Sequence, residues 1–454
     1  MLIFFGSFMK NGLLRKILPL FTLLLVVGGQ NSMCDMRPIQ FTKDTLENGL
    51  QVIYHIDRSA PVVATIVHYR VGSRDEDPNK TGYAHLFEHL MFEATTNIPR
   101  ASIDKYVQEA GGDLNAHTSF DETVYYLRLP SNEIKLALWI ESERMRGLLL
   151  EPVGVETQRG VVIEELKMRR NNQPYGTLLD EICDALFPGS SYQWTTLGSE
   201  EHLRRASIED FRNFYNNFYQ PNNATLVIAG DIDIEETRKY VQEYFGSLPK
   251  ASEPKRNDFR IDPMKGEVRK KIDDEKAQLP AIFIGFRAPA IGDADYYPMT
   301  ILLDILSAGE SSRLYQTIVD KERLAAQAGA FPFALEKSGM AAFYAIAAPN
   351  KKLDDIEKLI FKEINKIIEK GISDEELTKA KNIKESEFIF SKKDVMEKAQ
   401  TLARYNSYYN DPSLINDELK KFLSVTKEDV QRVAKLYFGT QNRVVLQYIP
   451  KKSN

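Results

Sequence analysis

Apolar and polar positions along this chain follow two periods, and the switches between them mark its elements. Gly49 to His55 and the longer Pro61–Val71 run, β-branched and bounded by Pro61 and Gly72, read as strands. After the polar loop Ser73–Lys80, Gly82 offers a helix start and nothing from Tyr83 to Phe92 breaks one. Ile103 to Ala110 reads as a helix stopped by Gly111-Gly112. Asp113–Phe120 and Thr123–Leu129 read as paired strands turning around Asp121-Glu122, with Pro130 ending the second. Long helical patterns cover Ile134–Leu150 and Val153–Arg170. A buried strand follows at Ala224–Gly230, and a helix at Ile234–Phe245.

Residues 250–272 carry Pro, charges and little apolar periodicity, a linker composition. Beyond them the pattern repeats. Ser207-Ile208-Glu209-Asp210 opens a helix leading to Phe218 and Asn223, and Thr426-Lys427-Glu428-Asp429 opens one leading to Tyr437 and Asn442. Both pairs are 219 positions apart, and at that offset Pro61 falls on Pro280, before Ala281–Phe286. The pattern predicts an α+β fold of two homologous duplicated domains, each a mostly antiparallel sheet covered by helices. The expected division is 38–249, a linker at 250–272, and 273–450.

At 454 residues, multiple domains are expected, and a net charge of −5 gives no support for nucleic acid as a partner. The two cysteines, Cys34 and Cys183, make no disulfide framework and no Cys-x-x-Cys pattern. Lys10, Arg15 and Lys16 precede an uncharged, Leu- and Val-rich run from Ile17 to Gln30. That run is short for a membrane span, so residues 1–30 are expected to be a secretory signal, with an uncleaved anchor as the alternative. An exported protein of the periplasm or cell envelope is the expectation, with the membrane touched only through that segment.

Chemistry enters at His85-Leu86-Phe87-Glu88-His89. The chain has only six histidines, and two of them stand one helical turn apart. Such a pair can grip one metal ion, usually zinc, and Glu88 borders the same face, within reach of a water at the metal. The arrangement is the inverted zinc-peptidase signature H-x-x-E-H. Two core or solvated histidines are the plain alternative. The repeat argues against it, because His85, Glu88 and His89 fall on Asp304, Ser307 and Ala308 in the second copy. A third ligand is sought in Val161–Met168, where Glu164 and Glu165 point about 100° apart, Glu165 adjoining the apolar stripe of Val155, Val162 and Leu166. A pair of surface glutamates would read the same way.

These residues resemble the pitrilysin/insulysin family of zinc peptidases, in the half-size form typified by the mitochondrial processing peptidase and its bacterial relatives. Further matches are Gly111–Thr118, which looks like the family's G-G-x-x-N-A-x-T edge strand, Tyr219–Ala224 and Ser311–Tyr315. The resemblance implies a two-domain chain forming half of a clam-shell, with one Zn²⁺ held by His85, His89 and Glu165. It implies Glu88 as the catalytic base and Asn115 and Ala116 as the backbone rail for peptide substrates. Two departures stand out. Gln158 occupies the place of a second glutamate seven residues before the ligand. Val319 and Ala326 stand where single-chain relatives carry an Arg and a Tyr. The resemblance therefore implies a partner, either a homologous subunit without zinc that supplies the Arg/Tyr pair or a second copy in a homodimer. A non-catalytic scaffold, assembly or peptide-binding subunit on the same fold is the competing reading.

Overall fold

The computed structural model describes residues 38–451, so the segment read as a signal and Cys34 lie outside the described residues. Eleven described strands form two sheets. The first holds β1 (Thr42–Thr45), β2 (Gln51–Ile56), β3 (Val62–Tyr69), β4 (Asp113–Thr118), β5 (Thr123–Pro130) and β6 (Ala224–Gly230), in the order β1-β2-β6-β3-β5-β4. The second holds β7 (Val268–Asp274), β8 (Ala281–Ala288), β9 (Ala325–Ala334), β10 (Gly339–Ala347) and β11 (Arg443–Pro450), in the order β7-β11-β8-β10-β9. Each sheet is antiparallel apart from one corresponding parallel pair, β2 with β6 and β7 with β11.

The duplication is visible strand by strand. β3 and β8, β6 and β11, and the helices Ile208–Phe218 and Lys427–Tyr437 all begin 219 positions apart. Both helices open on the same reciprocal cap. Asp210 N–H donates to Ser207 Oγ at 3.1 Å, and Asp429 N–H donates to Thr426 Oγ1 at 3.1 Å. Between these anchors the spacing slips, and β4 and β9 start 212 positions apart, at Asp113 and Ala325.

β3 and β6 read as continuous apolar runs because both faces of their sheet are covered. One face packs on helices of its own half, with Val52, Val67 and Leu226 in that core. The other face, with Ile53, Ile66 and Val227, packs on Ala399, Leu402 and Ala403 of the helix Val395–Tyr409, which belongs to the second half. The exchange is reciprocal. The first-half helix Leu178–Leu186 lays Ile182 and Leu186 against Phe283, Val444 and Leu446 of the second sheet. A Cβ on Gly285 would sit 2.7 Å from Ile182 Cδ1, so this close approach needs glycine there. The two halves share their cores rather than standing as separate bodies.

The stretch read as a linker is pinned and partly folded. Arg256 donates to Asp75 at 2.9 Å and Asn223 at 2.6 Å, and Asn257 donates to the Glu76 carbonyl at 2.6 Å. β7 begins at Val268, inside the 250–272 range. It is an edge strand whose half-buried residues alternate with exposed ones, mostly charged, so it carries no apolar run to reveal it.

Candidate metal centre

The helix carrying the H-x-x-E-H motif spans Tyr83–Leu90. It starts where Gly82 takes φ 94°, a left-handed conformation open to glycine at little cost. Its first turn is capped from outside by the buried Glu76, whose carboxylate accepts from Gly82 N–H at 2.9 Å and Ala84 N–H at 2.8 Å. Burial pushes the Glu76 carboxyl up to about 8, although those two bonds favour its charged form. Leu86, Phe87 and Leu90 face the first core, where Phe87 stacks on Phe214 and Tyr219. The helix is therefore fixed at its start and along its apolar face, leaving His85, Glu88 and His89 on the side away from the core.

Glu165 arrives from the helix Pro152–Leu166. Its Oε2 lies 3.6 Å from His85 Nε2 and 3.3 Å from His89 Nε2. One ligand atom from each of the three residues falls within 4.8 Å of the others. Donors about 2.1 Å from a tetrahedral zinc ion stand about 3.4 Å from one another, so the spacing and the N, N, O donor set fit that ion. His85 is buried, and its Nδ1 has no hydrogen-bond partner. Burial pushes the His85 imidazole down, toward the neutral form a metal requires, against the pull of Glu88 and Glu165. Glu165 is held at about 2: burial opposes its charge, but His89, His85 and Arg169 more than offset that.

Arg169 pairs with Glu165 Oε1, leaving Oε2 for the histidines. Glu164 turns outward to Lys167, which settles which of the adjacent carboxylates joins the cluster. Glu88 is half-buried on the motif helix. Asn115 and Ala116 lie on β4, the outer strand of the first sheet, and the motif helix packs against that strand. Ala116 N–H donates to Asn115 Oδ1 at 2.8 Å. Gln158 donates to Glu93 at 2.7 Å. Val319 lies in the short π-helical segment Tyr315–Lys321 and Ala326 near the start of β9, both in the second half.

The remaining histidines have local partners. His55 bonds the Gln40 carbonyl, His68 bonds Glu122 at 2.8 Å, and His202 Nδ1 accepts from Thr81 N–H at 3.2 Å. His117, on β4, lies 3.6 Å from Glu122. Sequence reasoning missed Glu76, Arg169 and Glu93. Arg169 had a signal, its i,i+4 spacing from Glu165. Glu76 had none, because nothing in a polar loop announces that one carboxylate will fold back on a helix start.

The sequence profile for Insulinase (Peptidase family M16) matches residues 51–199, and that for the Peptidase M16 inactive domain matches 205–384. The zinc protease PqqE of Helicobacter pylori is 30% identical over 441 residues, covering 96% of this chain and 99% of that protein. An uncharacterized zinc protease of Streptomyces coelicolor is 24% identical, covering 87% of each chain. Among solved structures, a protease from Helicobacter pylori superposes with a TM-score of 0.87 at 29% identity, covering 91% of this chain and 100% of that one. The periplasmic protease PqqL from Escherichia coli shares the fold at a TM-score of 0.75 and 21% identity, with 91% of this chain covering 48% of its length. By its matched profiles and its full-length relatives, the chain belongs to peptidase family M16, the insulinase family.

Proposed function

We propose that this chain is a zinc-dependent endopeptidase acting on extended or unfolded peptides, as the zinc-bearing subunit of a two-subunit enzyme. The observation that carries the reading is the convergence of His85, His89 and Glu165 from two helices, with Glu88 on the same helix face. Zinc held there supplies Lewis acidity to a peptide carbonyl and acidifies water. Glu88 takes a proton from the attacking water and passes it to the leaving amine, the acid–base work its half-buried place on the motif helix suits. Arg169 orients Glu165 by holding its second oxygen. Asn115 and Ala116 lie on an outer strand, where an extended peptide adds by backbone pairing. That mode reads main chain more than side chains and favours broad specificity.

The second half carries Val319 and Ala326 in place of an Arg/Tyr pair, which supports a partner: a homologous subunit without zinc, or a second copy. The likeness to PqqL supports the same arrangement, since this fold spans about half of that chain. Export to the periplasm or cell envelope rests on residues 1–30 and on that protein's periplasmic description. Among the described residues, no helix is long and apolar enough to cross a membrane.

Hydrolysis of a quenched fluorogenic peptide by wild type and Glu88→Gln, with bound zinc measured and the homologous partner present or absent, tests the reading. The expected result is equal zinc and a rate lower by about 10²–10⁴-fold in the variant. Hydrolysis that survives the substitution contradicts the mechanism. Full activity of the chain purified alone as a monomer contradicts the two-subunit arrangement.

A further inference from the structure

The candidate ligands come from two segments that share no turn, so their register must be set by something other than the ligands themselves. Glu93 lies four residues after His89, and Gln158 lies seven residues before Glu165. Outside the ligand cluster, the polar side-chain link between the motif segment and the Glu165 helix, among the described residues, is Gln158 Nε2 donating to Glu93 Oε1 at 2.7 Å. Glu93 is only 5% exposed. Its other oxygen takes the Arg100 guanidinium Nε, and Arg100 Nη2 reaches Oε1 at 3.3 Å. Gly154, in the first turn of the Glu165 helix, makes room for it, because a Cβ there would stand 3.1 Å from Glu93 Oε2. That turn carries no acidic residue of its own, and a helix start favours a nearby anion.

We propose that Glu93 is a positioning residue: clamped by Arg100 and seated on Gln158, it sets the register of the His85/His89 segment against the Glu165 helix. The inference rests on the zinc reading above and deepens it. It also gives Gln158 a role. An amide can donate to the Glu93 carboxylate, whereas a second glutamate at 158 would set a half-buried carboxylate against the buried one of Glu93.

The test measures zinc affinity of the full purified chain by chelator competition, alongside its melting temperature in EDTA. Four variants are compared: Glu93→Gln, Gln158→Met, Gln158→Glu, and the swap Glu93→Gln with Gln158→Glu. Glu93→Gln is expected to weaken zinc binding by about tenfold or more. Gln158→Met, which leaves the Glu93–Arg100 pair intact, is expected to weaken it in the same direction. The swap restores an amide–carboxylate bond of reversed polarity and should bind zinc more tightly than Gln158→Glu alone. Zinc affinities unchanged across variants that melt lower would assign Glu93 to stability only and overturn the proposal. So would a swap no better than Gln158→Glu, an outcome that stays readable even if Glu93→Gln alone fails to fold. A wild-type chain that binds no zinc overturns the functional reading and this inference together. Zinc bound equally by wild type and all variants overturns this inference alone.

Discussion

The two halves of the chain differ at one contact between helices, which holds a candidate metal cluster in the first half and an ion pair in the second. At the 219-residue offset, His85 corresponds to Asp304 and Glu165 to Lys384. In the first half these positions bring a histidine and a carboxylate to 3.6 Å, beside His89. In the second half Lys384 Nζ lies 2.9 Å from Asp304 Oδ2, with both side chains mostly buried. In each half the two helices carrying these positions pack on each other, with an ion pair at the contact in one and a candidate zinc cluster in the other. At the matched positions the exposure is alike, since Glu88 and His89 are half-buried and so are Ser307 and Ala308. A contact between helices that must be closed can be closed by any matched pair of charges.

The largest expected effect comes from breaking the first-half contact. Glu165→Gln keeps the side chain's size but removes a ligand charge. A metal contributes several kcal/mol of transition-state stabilisation, so peptide hydrolysis should fall by roughly 10³-fold or more, together with bound zinc, assayed on the same sample. Breaking the second-half contact should act on stability alone. Asp304→Ala removes the partner of Lys384 across the helices but leaves Glu387 at 2.9 Å, so it should cost about 1–2 kcal/mol in chemical denaturation, leaving zinc content unchanged. Replacing both members with apolar residues, Asp304→Leu with Lys384→Met, should recover most of that loss. A double variant less stable than Asp304→Ala would show that the pair does more than close the contact.

A comparable effect tests the exchange of helices between halves. Asp57, at the end of β2, pairs with Lys398 on the second-half helix that covers the first sheet. Burial disfavours its charge, but Lys398 and Ser59 outweigh that and hold the carboxyl at about 2, below the ordinary 3.8. A depressed carboxyl stabilises the fold above the unfolded value and loses that contribution as pH falls through the folded one. Asp57→Asn should therefore cost about 1–2 kcal/mol at neutral pH, with a gap from wild type that holds down to pH ~5, narrows below pH ~4 and closes near pH ~2. A gap that widens on acidification contradicts the assignment. The smallest effect concerns what both halves kept. Ser207→Ala and Thr426→Ala remove matching caps, and each should cost about 1 kcal/mol in thermal melts. Unequal losses would show that the duplicated helices no longer carry equal loads.

Much of this was legible because local patterns report local structure. Gly82, the unbroken run behind it, and the Asp113–Leu129 hairpin carry their own start and stop signals. The 219-residue repeat exposed the duplication through its caps. Glu165 was legible only as one of two adjacent carboxylates, and the resemblance to a family singled it out. The exchange of helices between sheets was not legible. An amphipathic pattern says that Leu178–Leu186 and Val395–Tyr409 must each bury a face, but not on which sheet. β7 was hidden by its place at an edge, where exposed charges replace the apolar run that marks a central strand. The Asp304–Lys384 pair was hidden for a related reason, since two charges 80 positions apart announce no contact until their helices are packed.

The most direct measurement is anomalous diffraction at the zinc absorption edge, on crystals of the full chain grown with zinc. One strong peak bounded by His85, His89 and Glu165, with no density between Asp304 and Lys384, is the predicted result. The absence of a peak at the first-half cluster, or a peak at the second-half contact, would contradict the account.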